Sequence, residues 1–156
     1  RECNTTMHKT YFLISISVFL FCSYLLVTAS PALEYPLGEN DTVPLGSFIT
    51  WAGLMALPTS LYWGVGKFRK PHDFLHRSMA VGLKILIALT LLWLPISFGL
   101  AGNMNFNFGQ TETFQGGQTA MSLFWGLSLG IPLGTIVLFV VHLMIVVWQR
   151  LFHRRD

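Results

Sequence analysis

The stretch Ala120–Trp148 reads AMSLFWGLSLGIPLGTIVLFVVHLMIVVW and contains no Asp, Glu, Lys or Arg. The hydrocarbon core of a bilayer is about 30 Å thick and takes roughly 20 apolar helical residues to cross. This run exceeds that length, so it is expected to tilt or to extend past the interface. Its apolarity is continuous, not alternating, which selects a helix over a barrel strand.

Three further stretches are built the same way. They are Tyr11–Ala29, about Gly46–Val65 and about Met79–Leu100, and none contains Asp or Glu. The whole chain is 53% hydrophobic and 11% charged, where a soluble domain carries about 25% charged residues. The expectation is an all-α integral membrane protein with four transmembrane helices, one domain over residues 1–156. The segment from Met7 to Ala32 also has the outline of a secretory signal, with Lys9, an apolar core and Ala29-Ser30-Pro31-Ala32. Its core is longer than the usual 7–15 residues of a signal, so a retained helix is expected, with Met7 a plausible start. Cys3 and Cys22 read as free thiols, because a bridge between them would break the first helix.

The charges sort by loop. Glu34, Glu39 and Asp41 fall between the first and second runs, with no Lys or Arg. Lys67, Arg69, Lys70 and Arg77 follow the second run, against Asp73 alone, and Arg150, Arg154 and Arg155 follow the fourth. The third loop holds Glu112. Lys and Arg accumulate on the inner side of membranes. Both termini and the middle loop are therefore expected inside, in a bacterial inner membrane or its organellar equivalent. The formal charge of +3 then belongs to a membrane surface, not to nucleic acid. Lys67, Arg69, Lys70, Arg77, Lys84 and Arg150 are candidate contacts for anionic lipid headgroups. Trp51 and Trp125 would anchor the outer interface, and Trp63 and Trp148 the inner one. The Asn40-Asp41-Thr42 sequon would lie outside.

The halves 8–75 and 76–156 share features. His8-Lys9-Thr10 precedes the first run and His76-Arg77-Ser78 the third. Trp51 and Pro58 are spaced as are Trp125 and Pro132. Leu37-Gly38-Glu39-Asn40-Asp41-Thr42 aligns with Phe108-Gly109-Gln110-Thr111-Glu112-Thr113. These matches suggest a tandem repeat of two helical hairpins, related by an axis along the membrane normal. Convergent helix composition is the competing explanation.

Two stripes of small residues recur every four positions: Ala52, Ala56, Ser60 and Gly64 in the second run, Ser122, Gly126, Gly130 and Gly134 in the fourth. Residues at i and i+4 share a helix face. Helices in lipid associate through close van der Waals contact, which small side chains permit. Both stripes are therefore expected to dock something: each other, a helix of another subunit, or a flat pigment or lipid tail. Glycine is also simply common in membrane helices. Pro58, Pro95 and Pro132 each remove a backbone donor inside a run and are expected to bend it.

Ionisable groups within a span are functional candidates. Lys84 can snorkel to the interface. His142 could instead ligate a haem b iron or a pigment metal, with His76 as second ligand and His72 behind it. A packed histidine is the plainer reading of His142. No zinc-ligand spacing, phosphate loop or nucleophile with a credible base is present. In the third loop, Asn103 to Phe108 alternates polar and apolar residues at the strand period, putting Met104, Phe106 and Phe108 on one side. There they are expected to rest on the bundle's outer end or, alternatively, to offer an apolar ridge to a partner subunit. The function expected is a non-catalytic subunit of a larger membrane complex, respiratory or photosynthetic, contacting lipids and other membrane subunits. The alternatives are a haem- or pigment-binding electron-transfer subunit, and a small transporter or lipid-binding protein.

Overall fold

A computed structural model describes residues 2–37, 43–108 and 114–152. Glu39, Asn40, Asp41, Thr42, the segment 109–113, Arg154, Arg155 and the side chain of Cys3 lie outside the described residues. Helix α1 (Glu2–Val27) leads through a 3₁₀ turn (Pro31–Glu34) into a small antiparallel hairpin. That hairpin comprises β1 (Pro36–Leu37) and β2 (Val43–Pro44). Helix α2 (Leu45–Gly64), the short α3 (Gly66–Arg69), α4 (Phe74–Ala101), a 3₁₀ turn (Asn105–Asn107) and α5 (Gly117–Phe152) follow.

Among the described residues, three helical segments are long and apolar enough to cross a membrane: Met7–Val27, Phe74–Ala101 and Gly117–Leu151. Helix α2 is not among them. Its 20 residues would span about 30 Å, and none is charged, but its hydropathy falls short of theirs. Gly46, Ser47, Gly53, Pro58 and Ser60 lower it, and all five are buried. These residues are turned into the protein, so they need not be apolar enough for lipid.

The helices share two ends. At the basic end, Trp63 of α2 stacks on His8 and Tyr11 of α1, at ring-centroid distances of 5.2 and 4.9 Å. There also Lys67 Nζ donates to Gln149 Oε1 of α5 at 2.9 Å. Leu61, Phe68, Met79, Ala80 and Leu83 form a buried cluster beside them. At the other end, Trp93, Met104, Phe124 and Ile131 form a second buried cluster, with Trp51, Phe106 and Phe114 packed on it. Two indoles cross-link the helices: Trp51 Nε1 donates to the Thr90 carbonyl at 2.7 Å, and Trp93 Nε1 to Ser128 Oγ at 2.9 Å. Such interhelical bonds contribute about 0.6 kcal/mol on average and up to about 1.7 in a bilayer. Trp51, expected at the outer interface, spends its indole N–H on a bond between α2 and α4. Trp125 and Trp148 are exposed.

The third loop rests on the end of the bundle, one of the two arrangements expected of it. Its alternating residues form a turn, with Asn103 Oδ1 accepting from the Phe106 amide at 3.4 Å. Met104 is fully buried. The loop caps the bundle by sinking these side chains into it, which no neighbouring strand is required to hold. Helix α1 ends in a Schellman pattern: the Ser30 amide donates to the Leu25 carbonyl and the Ala29 amide to that of Leu26. Ala29 occupies the left-handed position at φ 46, where Gly is preferred. Ala29→Gly should raise stability by about 1 kcal/mol, read from the unfolding midpoint in detergent.

Cys22 is a buried free thiol. α1 is one unbroken helix, which holds Cys3 and Cys22 about 28 Å apart along its axis.

Candidate functional site

The basic end collects most of the side chains able to carry chemistry. The chain leaves α2 at Gly64, turns through Val65 and re-enters a helix at Gly66. This break turns Lys67, Arg69 and Lys70 across the end of the bundle. Phe68, 1% exposed, plugs α3 into the core. Arg69 lies over the Trp63 ring, 5.9 Å from its centroid, so the guanidinium is committed to the aromatic stack with α1. Asp73 precedes α4, and its Oδ2 lies 3.4 Å from His76 Nδ1.

His76, named as the second ligand for His142, does meet it. Their rings stand edge to face with centroids 5.6 Å apart. Phe68 packs on His142 at 5.2 Å. Both imidazoles are at least nine-tenths buried. His76 Nε2 and His142 Nδ1 have no hydrogen-bond partner among the described residues. Two axial ligands must approach an iron from opposite faces of a flat macrocycle. Rings in direct edge-to-face contact leave no layer for that macrocycle, so the pair does not fit a bis-histidine haem.

The cationic residues divide by position. Lys67 and Lys70 line a cleft of about 510 Å³ at this end, together with Gly64, Val65, His72 and His142. Arg77, Lys84 and Arg150 are exposed and lie outside its lining. A second cavity, of about 390 Å³, lies between α1, α2 and α5 and is lined chiefly by apolar groups, among them Phe12, Ile16, Leu61 and Phe139. Gly64 and Val65 line both.

The two small-residue stripes have different surroundings. On α2, Ala56 and Ser60 are buried, while Ala52 is only half-buried. A Cβ on Gly64 would stand 2.8 Å from the Phe12 ring, and one on Gly53 would stand 3.2 Å from Cys22 Cβ. The face that receives α1 therefore runs Gly53, Ala56, Ser60, Gly64. Gly53 was missed because a strict four-residue step passes over it; an alternation of three and four would have found it. On α5, a Cβ on Gly134 would stand 3.3 Å from the Leu86 side chain of α4. Ser122, Gly126 and Gly130 are exposed, and nothing lies within 4 Å of a Cβ built on either glycine. The α2 and α5 stripes thus do not face each other within one chain. No protein family, curated protein or solved structure matches the chain.

Proposed function

We propose that the chain crosses the membrane four times, with both termini and the α2–α4 connection inside, and serves as a non-catalytic subunit of a larger membrane assembly. Helix α2 supports the fourth crossing. It runs beside helices that are themselves long enough to span, and meets them at both ends of the bundle. The orientation rests on charge: Lys67, Arg69, Lys70 and Arg77 share one end with Arg150, and Glu34 lies towards the other. A bacterial inner membrane or its organellar equivalent suits that distribution.

The observation that carries the assembly reading is the contrast between glycines. Gly53 and Gly64 on α2 are met by α1 at close range, whereas Gly126 and Gly130 on α5 are open. Glycine in a helix interior costs about 1 kcal/mol relative to Ala in water, and close approach of a second helix is what offsets it in lipid. A partner's helix on the Ser122–Gly126–Gly130 face supplies that approach.

The test combines two effects of opposite sign. Gly126→Leu should leave the isolated chain as stable as before, or up to about 1 kcal/mol more so, because the leucine meets nothing and favours the helix. The same substitution should reduce copurification of the partner from native membranes in mild detergent. A wild-type chain that runs as a monomer from its native membrane, with no protein accompanying it, would overturn the assembly.

A further inference from the structure

We infer that the basic end holds one anionic phospholipid, its phosphate between Lys67 and Lys70 and one acyl chain in the groove between α1, α2 and α5. The inference rests on the membrane setting but not on the existence of a partner subunit.

Three independent observations converge. The first is electrostatic. The cleft at the α2–α3 break is lined by Lys67, Lys70 and His72, and no carboxylate is part of its lining. Lys67 gives one bond to Gln149 Oε1, which leaves two of the three ammonium donors for an anion. Arg69 is held on Trp63 and does not compete for the phosphate. Asp73, the nearest acid along the chain, sits beside His76 and outside the lining. Basic pockets between membrane helices on the inner side bind anionic lipid headgroups.

The second observation is continuity. Gly64 and Val65 form a wall of both the basic cleft and the apolar groove. The groove is lined by Phe12 and Ile16 from α1, Leu61 from α2 and Ile136 and Phe139 from α5. Its two hydroxyls make no demand on a ligand: Ser60 donates to the Leu57 carbonyl at 2.7 Å and Thr135 to that of Ile131 at 2.9 Å. A charged cavity that opens into a hydrocarbon one matches a molecule with a phosphate at one end and an alkyl chain at the other. Volumes of about 510 and 390 Å³ fall within the roughly 300–1,000 Å³ of small-ligand sites.

The third is His142. It is 8% exposed, lines the cleft, and its Nδ1 lacks a partner among the described residues. A buried polar atom without a partner costs free energy. The glycerol and ester region of a lipid, directly below the phosphate, carries the oxygens to meet such a group.

The purified full-length chain, exchanged into mild detergent and titrated with phosphatidylglycerol or phosphatidylcholine, provides the test by native mass spectrometry. Wild type should retain one phosphatidylglycerol per chain and bind phosphatidylcholine at least tenfold more weakly. Lys67→Gln with Lys70→Gln should lower phosphatidylglycerol retention tenfold or more. Ile136→Trp, which fills the groove and leaves the charges intact, should lower it as well. Lys84→Gln, on the exposed face of α4, should have no effect. Thermal unfolding in detergent without added lipid checks that each variant is folded. Equal retention of the two lipids, or undiminished retention in both the double-lysine and the Ile136→Trp variants, overturns the site. Displacement of the lipid by millimolar inorganic phosphate also overturns it, since it would mean that the groove holds no chain. A monomer that still retains phosphatidylglycerol selectively would sink the subunit reading and leave this one standing.

Discussion

Trp93→Ala should lower stability by about 2–4 kcal/mol, measured as reversible unfolding in mixed micelles. Trp93 is 1% exposed and sits with Met104, Phe124 and Ile131 at the end of the bundle opposite the lysines. In a water-soluble protein, Phe or Trp to Ala in a core costs about 3–5 kcal/mol, partly as lost transfer from water and partly as a cavity. In a bilayer the transfer part shrinks, because lipid tails are as apolar as the core. The cavity and the lost dispersion contacts remain. The indole also donates to Ser128 Oγ at 2.9 Å, which adds about 0.6–1.7 kcal/mol. Trp93→Phe separates these contributions: it fills most of the volume and deletes only the donor. It should cost about 1 kcal/mol, at the level of the bond alone. Equal losses for the two variants would mean that the indole is held by its hydrogen bond and that this end is not tightly packed.

The difference between lipid-facing and helix-facing positions decides how much of this fold could be read in advance. Helices α1, α4 and α5 are legible because their apolar runs must satisfy lipid over most of their circumference. Helix α2 is legible as a helix but weak as a span, since Gly46, Ser47, Gly53 and Ser60 are turned inward. Hydropathy averages over the circumference and cannot separate the two surroundings. The small-residue stripes show the same limit. Their spacing gives a shared face but not its occupant, and the structure fills one with α1 and leaves most of the other open. His76 was recognisable as a candidate partner of His142, though with no matched depth, and only the fold reveals that their rings touch. The joint between cleft and groove was not legible at all. It depends on the backbone break at Val65, between two helices that the sequence presents as a simple loop. The alternation from Asn103 to Phe108 was legible as side chains resting on the bundle's end, and it arises from that burial, not from strand pairing.

Gly46→Leu should destabilise the bundle by about 2 kcal/mol and loosen the third loop at once. Gly46 lies in the first turn of α2, where a Cβ would stand 2.8 Å from the Phe108 ring and 2.9 Å from the Leu33 carbonyl oxygen. The ring can shift, but the carbonyl is fixed from both sides. Leu33 is 5% exposed and anchors its 3₁₀ turn, and the Leu45 amide donates to the Tyr35 carbonyl at 2.8 Å just beyond it. Inserting a side chain against such a wall costs about 1–3 kcal/mol. The helix gain from losing a glycine is under about 1 kcal/mol and does not cancel it. The least costly response is to expel Phe108, so limited proteolysis between Asn103 and Gly116 should accelerate in step with the stability loss. Gly99→Leu is the counterpart on α4: the position is exposed and nothing lies within 4 Å of its Cβ. That change should stabilise by up to about 1 kcal/mol and leave proteolysis unaltered. Opposite signs at two helical glycines cannot come from propensity, which is the same for both, and so would isolate the contact between the third loop and α2. Matching signs would mean that Phe108 does not rest on Gly46, and that the loop does not cap the bundle through this contact.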